Sequence, residues 1–518
     1  MSPIANLSAR RSGVLLHPTS LPGAHGGGDL GPHAHCFAEW LAAAGQTWWQ
    51  MLPVGPPGWG GSPYDSPSAF AGSPWLVSLE ELAKEGLLED TELSAPSTLA
   101  RAKHAQHDAA ARFRWERLQR AHARFEQQKD GTARRDLARF RADHAGWLRD
   151  YCLFSALKEA HGGAHWNTWE RGLRRREAAA LERAERELRE RVRFFEFVQL
   201  AFDRQWQALR EHCKSLGIAL LGDVPMFVAH DGADVWSHPE LFFLNRDGEK
   251  TAVAGVPPDV FSKTGQLWGN PLFRWKRMQA RGFEWWLRRL SVTLSRFDAV
   301  RLDHFIGFHR YWQVPADAKT AQDGKFVRVP GEAFFEAAEK HLGGLPFVAE
   351  DLGIVTDEVC ALRDRFQLPG MRVLQFAFGS DANNDYLPHR HPREAVVYTG
   401  THDNDTIQGW YRGIGKERQR VKAYLGNPGK HIHWDLIRLA SMSVANLSLF
   451  PLQDVLGLGS EARMNVPGTS KGNWQWRVRE SALTPRVAQA LDGITRTYGR
   501  AFGPARGDAE AFVRSRRR

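Results

Sequence analysis

Ala299-Val300-Arg301-Leu302-Asp303-His304 opens apolar and closes on an arginine, an aspartate and a histidine. An apolar run of this kind fits a parallel strand buried on both faces, with its C-terminal end open to solvent. The pattern at 299–305 has seven partners, at 13–18, 47–54, 218–228, 346–353, 371–378, 395–402 and 447–456. Helical sequence lies between them, and strands alternating with helices build a parallel sheet from βα units. Eight such units close into a (β/α)8 TIM barrel, usually of about 250 residues. At 518 residues the chain must also carry long insertions.

Two spacings show where they lie. More than 160 residues separate the second and third candidate strands, and much of that length is rich in Ala, Arg, Glu and Leu at helical spacing. The expected division is a first barrel part at 1–80, a mostly helical inserted subdomain at 81–195, and the barrel remainder at 196–518. Within the remainder, 244–275 holds Gly255, Pro257, Pro258, Gly265, Gly269 and Pro271. A Gly/Pro-rich segment that long is expected to be an active-site loop or lid.

Composition narrows the function. The chain is 42% hydrophobic and 25% charged, with 69 Lys+Arg against 59 Asp+Glu. Residues 101–200 carry 23 of the basic and 15 of the acidic side chains, and Arg514, Arg516, Arg517 and Arg518 add four positive charges at the end. The basic surplus therefore belongs to the helical insertion and the tail. No nucleic-acid-binding motif accompanies it, so no nucleic-acid partner is expected. No run approaches the roughly 18 apolar residues of a membrane span, so none is expected with a membrane. The start lacks the pattern of a secretory signal. Cys36, Cys152, Cys213 and Cys360 lie far apart with no Cys-x-x-Cys pair. A reduced, cytoplasmic protein is the expectation, a monomer or weak homodimer. Twenty Trp among 57 aromatic residues fit core packing or the stacking of sugar rings, and composition does not choose.

Reactive groups in a barrel gather at the C-terminal strand ends. Arg301 and Asp303 are two apart, hence on one side of a strand. An arginine beside a carboxylate favours its charged form, which a carboxylate nucleophile needs. A structural Arg–Asp pair would look the same. Glu350, after the apolar Phe347-Val348-Ala349, could be desolvated enough to stay protonated, or could simply cap a loop. Asp403 lies in the polar run Thr399-Gly400-Thr401-His402-Asp403-Asn404-Asp405, and Asp223 ends the third strand. Two carboxylates in separate roles are the machinery of retaining glycoside chemistry, and a third can hold sugar hydroxyls.

With these residues in place the chain resembles the amylomaltase family of 4-α-glucanotransferases, glycoside hydrolase family 77. The resemblance runs nearly end to end. It includes Gly13-Val14-Leu15-Leu16-His17-Pro18-Thr19-Ser20, Ser62-Pro63-Tyr64-Asp65-Ser66, Gly265-Gln266-Leu267-Trp268-Gly269-Asn270-Pro271, Arg301-Leu302-Asp303-His304, Ala349-Glu350-Asp351-Leu352-Gly353, Thr401-His402-Asp403-Asn404 and Arg463-Met464-Asn465-Val466-Pro467-Gly468. It implies that α-1,4-glucan segments pass from a donor to the 4-hydroxyl of a maltooligosaccharide or glucose acceptor, without a cofactor or metal. Asp303 would be the nucleophile, Glu350 the acid/base, and Asp403 with His402 would hold hydroxyls of the distorted sugar. Arg301 would orient Asp303, Tyr64 would stack on the sugar, and Asp223 would line the pocket. Asp259, Gln266 and Trp268 would form the acceptor-side wall, with Ser62 and Asn465 as donor-side contacts. Val260 and Phe273 stand where many members carry tyrosine. The loss at 260 predicts more hydrolysis per transfer than in a tyrosine-bearing relative. An α-1,4-glucan hydrolase of the same clan and a glucan-binding protein with an idle barrel are the competing readings.

Overall fold

The computed structural model describes residues 6–128, 131–258, 262–426 and 428–502. Eight parallel strands close a barrel: β1 (Arg11–Leu15), β2 (Trp48–Gln50), β3 (Ala219–Val224), β6 (Ala299–Leu302), β9 (Phe347–Ala349), β10 (Gly370–Val373), β11 (Ala395–Tyr398) and β12 (Leu447–Pro451). Four further strands, β4 (Ala252–Val256), β5 (Gln266–Pro271), β7 (Arg310–Pro315) and β8 (Lys325–Arg328), make a separate sheet. Around the barrel the order is β1-β12-β11-β10-β9-β6-β3-β2. Each of the eight expected runs supplies one strand, so the protein is a (β/α)8 barrel.

The barrel interior is filled rather than hollow. Trp48, Leu221, Val348, Met371, Val373, Val396, Tyr398, Leu447 and Leu449 form one buried cluster inside it, as expected of a packed barrel core. Closure is tight between β1 and β2. A Cβ at Gly13 would sit 2.3 Å from the Trp48 carbonyl oxygen, so only glycine fits there.

Between β2 and β3 lie the helices His107–Gln127, Gly131–Asp143, Leu148–Ala160, Ala178–Glu187 and Arg189–Ser215. The last is 27 residues long and runs unbroken through position 195. Its buried stripe of Phe194, Val198, Phe202, Trp206, Leu209 and Cys213 recurs at helical spacing. Two glutamines on it act as clamps. Gln199 pairs with both backbone groups of Gly72 (2.8 and 2.9 Å), and Gln205 with both of Ser78 (2.7 and 3.0 Å). The arginines of the insertion face glutamates and aspartates, for example Arg149–Glu185 at 2.6 Å and Arg191–Glu159 at 2.7 Å.

The segment 244–275 is more ordered than a loop. Its strands β4 and β5 pair antiparallel and continue through β7 to β8, in the order β5-β4-β7-β8. Gly265 (φ +68°) turns the chain into β5, whose first half is exposed, so its hydrophobic pattern is weak. Asp259 and Val260 lie outside the described residues. Among the described residues no helix is long and apolar enough to cross a membrane.

Candidate active site

Strand register brings the central residues together. β3 pairs with β6 so that Asp223 stands opposite Arg301, and β6 pairs with β9 so that Leu302 stands opposite Ala349. Asp303 and Glu350 therefore follow side by side off adjacent strand ends. Arg301 Nη1 donates to Asp223 Oδ1 and Oδ2 at 2.9 and 2.7 Å and lies 2.9 Å from Asp303 Oδ1. One buried nitrogen thus serves two aspartates with unequal access to solvent. The Asp223 side chain is 0% exposed, whereas that of Asp303 is 28% exposed.

Asp223 does not line the cleft as expected. It is a buried anchor that takes the Tyr64 hydroxyl hydrogen at 2.9 Å as well as the arginine. Burial pushes its carboxyl up from the usual range, and Arg301 pulls against that. Tyr64, held by Asp223, stacks on His402 with ring centroids 5.0 Å apart and a 19° interplanar angle. Burial lowers the His402 imidazole below its ordinary value, which favours a neutral ring.

Glu350 is partly buried, and its two oxygens are each held by a backbone N–H. His304 N–H donates to Oε2 at 2.7 Å and Leu352 N–H to Oε1 at 3.2 Å. Burial raises the Glu350 carboxyl to about 8, while Arg301 and the His304 N–H act in the opposite direction. The His304 contact depends on an unusual backbone, because His304 is left-handed at φ +51°. Non-glycine residues in that region cluster at functional sites.

Asp403 comes from the loop after β11, across the barrel mouth. It is the most open of the three, with a side chain 46% exposed. Asn465 Nδ2 donates to its Oδ1 at 2.6 Å, and His402 Nε2 lies 3.3 Å from the same oxygen.

A cleft of about 390 Å³ opens over this rim. Of the expected residues, Ser62, Tyr64, Trp268, Asp303, His402, Asp403 and Asn465 line it. Gln266 is exposed and accepts the Trp268 indole N–H at 3.2 Å, so it reaches the cleft wall only through that ring. Trp268 packs edge-on against His304 at 4.9 Å. Phe273 is buried among aromatic rings, 5.1 Å from Phe242 and 5.5 Å from Trp286 by centroids.

Sequence reasoning missed several lining residues. Trp474 lies 5.9 Å from both Tyr64 and His402 and closes an aromatic corner. Met226, Phe227, Asn270 and Asn473 also line the cleft. Asn270 stood in a quoted motif and could have been singled out. Trp474 (φ +63°) carries no motif, and only its fold neighbours reveal it.

Polar groups at the C-terminal mouth of a closed (β/α)8 barrel, beneath an aromatic-walled cleft, define the class of barrel enzymes that work on sugar-like ligands. The profile of the 4-alpha-glucanotransferase family, glycoside hydrolase family 77, matches residues 16–484. A 4-alpha-glucanotransferase of Thermus thermophilus is 48% identical over 491 residues, covering 93% of this chain and 97% of that protein. One from Synechocystis is 48% identical over 501 residues, covering 95% and 99%. The amylomaltase of Streptococcus agalactiae, solved in complex with acarbose, superposes with a TM-score of 0.92 at 35% identity, over 95% of this chain and all of that one. The chain belongs to glycoside hydrolase family 77, the 4-α-glucanotransferases, and is an enzyme of glycosyl transfer.

Proposed function

We propose that the protein transfers α-1,4-glucan segments to the 4-hydroxyl of a glucan or glucose acceptor by double displacement. Asp303, reaching the cleft with Arg301 at its back, attacks the anomeric carbon and forms a glycosyl ester. Glu350, kept protonated by burial, gives its proton to the departing glycosidic oxygen. It then takes the proton of the incoming 4-hydroxyl, and the sugar leaves Asp303 for the acceptor. Asp403, His402 and Asn465 hold hydroxyls of the reacting sugar, and Tyr64 with Trp474 offers ring faces to it. Trp268, carried on β5, covers the acceptor side. Retention of the glycosyl ester until a sugar arrives requires water to be kept out, and that wall supports transfer over hydrolysis.

The observation that carries this reading is the contrast between the two strand-end carboxyls. Glu350 is desolvated and its affinity for a proton is raised, while Asp303 faces the cleft beside a buried guanidinium. The relative solved with acarbose supports a sugar-shaped cleft in the same fold. Asp303→Asn should keep maltooligosaccharide binding within about threefold, because it removes no contact with uncharged sugar hydroxyls other than its own. Turnover should fall by three or more orders of magnitude. Calorimetric binding together with product chromatography reads both. Turnover within tenfold of the native protein removes Asp303 from the role of nucleophile.

A further inference from the structure

A second polar cluster lies away from the cleft, where the segment after β1 meets the helical insertion. His25, Asp29 and Glu80 each offer one ligand atom, and these atoms lie within 4.8 Å of one another. His25 is 2% exposed and Asp29 8%.

The ring of His25 is fixed by its hydrogen bonding. Its Nε2 lies 3.0 Å from the Leu93 carbonyl oxygen. A carbonyl can only accept, so Nε2 carries the hydrogen. The neutral ring then has a bare lone pair at Nδ1. Among the described residues that buried atom has no hydrogen-bond partner, and it faces Glu80 Oε1 at 3.6 Å. A buried lone pair aimed at a carboxylate is repulsive unless a cation lies between them.

The carboxylates leave room for a cation. Glu80 Oε2 takes the Ser78 hydroxyl at 3.0 Å, which turns Oε1 toward His25. Asp29 takes Gly31 N–H on Oδ1 at 2.9 Å and Arg114 Nη2 on Oδ2 at 2.7 Å, so each oxygen keeps a further lone pair. Arg114 is directed elsewhere too, donating to the Val77 and Gly27 carbonyls at 2.7 and 3.3 Å. Asp29 and Glu80 bring two negative charges, faced by Arg114 and by Arg477, whose guanidinium donates to the Gly23 carbonyl.

We infer that His25, Asp29 and Glu80 form a binding site for a first-row divalent cation, zinc fitting best, that pins the segment after β1 to the insertion. One imidazole nitrogen and two carboxylates suit zinc, with water as fourth ligand, whereas calcium and magnesium favour all-oxygen sets. Metal-bound histidines commonly donate their other ring N–H to a backbone carbonyl, as His25 does here. Coordination at about 2.0–2.2 Å draws the three atoms closer together, a movement that the part-exposed Glu80 side chain can make. The cation would join Asp29, the start of the helix Leu79–Lys84 and the helix His107–Gln127, whose Phe113 stacks on His25 at 5.4 Å.

The test is zinc chloride titrated by calorimetry into full-length protein stripped with EDTA, alongside His25→Ala and Glu80→Gln. The native chain should take up one equivalent more than either variant, and its unfolding midpoint alone should rise with zinc. Equal uptake and equal midpoints in all three proteins overturn the site. Should neither variant fold, cobalt(II) added to the native chain decides. Visible bands of a four- or five-coordinate ion at one equivalent support the site, and a purely six-coordinate, water-like spectrum contradicts it.

Discussion

At Glu350 the proposed chemistry turns on one proton. A carboxyl raised to about 8 is still largely protonated at pH 7, so the form able to donate is the populated one. Raising the pH through that value removes the acid, and transfer should decline on a basic limb near 8 rather than near the usual carboxylate range. Glu350→Gln should lower kcat by roughly 10²–10⁴-fold and abolish that limb. A glucosyl fluoride donor, whose leaving group needs no proton, should recover part of the loss in the first step. A basic limb unchanged in the variant would assign the titration to another group. The arginine, the carboxylates and the histidine of this rim were legible because strand ends in a barrel collect function, and Arg301 with Asp303 are indeed in contact. The burial of Asp223 was not legible, since a strand-end acid reads alike whether it faces the cleft or a neighbouring arginine. The left-handed backbone of His304 was equally hidden, because a positive φ is uncommon even for the non-glycine types that favour it, histidine among them.

Among the elements, the eight barrel strands could be read because burial on both faces leaves continuous apolar runs. The four-stranded sheet could not. β5 passes from three exposed residues to a buried last one and β8 carries Lys325 and Arg328, so neither shows the alternation that marks a half-buried strand. That sheet matters because β5 carries Trp268 to the cleft, placing that part of the cleft wall on a paired strand instead of a free loop. The long helix Arg189–Ser215 shows a different dependence. Gln205 satisfies both backbone groups of Ser78 in a buried setting. Gln205→Leu leaves that N–H and C=O unpaired, at about 1–3 kcal/mol for each group. Chemical denaturation should show a loss of about 2–6 kcal/mol. A loss under about 0.5 kcal/mol would mean that water replaces the glutamine without cost.

Across the whole molecule, the segment at Arg500 is joined to the strand entries on the face of the barrel opposite the cleft. Arg500 donates to the carbonyls of Arg11, Ser441, Ser443, Ala445 and Asn446 at 2.8 to 3.1 Å, tying the C-terminal segment to the entries of β1 and β12. The barrel is thus closed by side-chain bonds as well as by its strands, and the rim that carries Asp303, Glu350 and Asp403 rests on a fixed frame. A fixed frame suits a reaction in which two carboxylates must keep their spacing through two displacements. Part of the basic surplus of residues 101–200 is met by acids outside that stretch, Arg114 by Asp29, Arg124 by Glu92, Lys158 by Asp231 and Arg174 by Asp247. The central claim is that this molecule passes a glucosyl chain to a sugar and not to water. Incubation with maltotriose alone, with products resolved by length and reducing ends counted, tests it most directly. Transfer yields glucose and a ladder of longer maltooligosaccharides at a constant number of reducing ends. Only shorter sugars, with reducing ends rising in step, would contradict it.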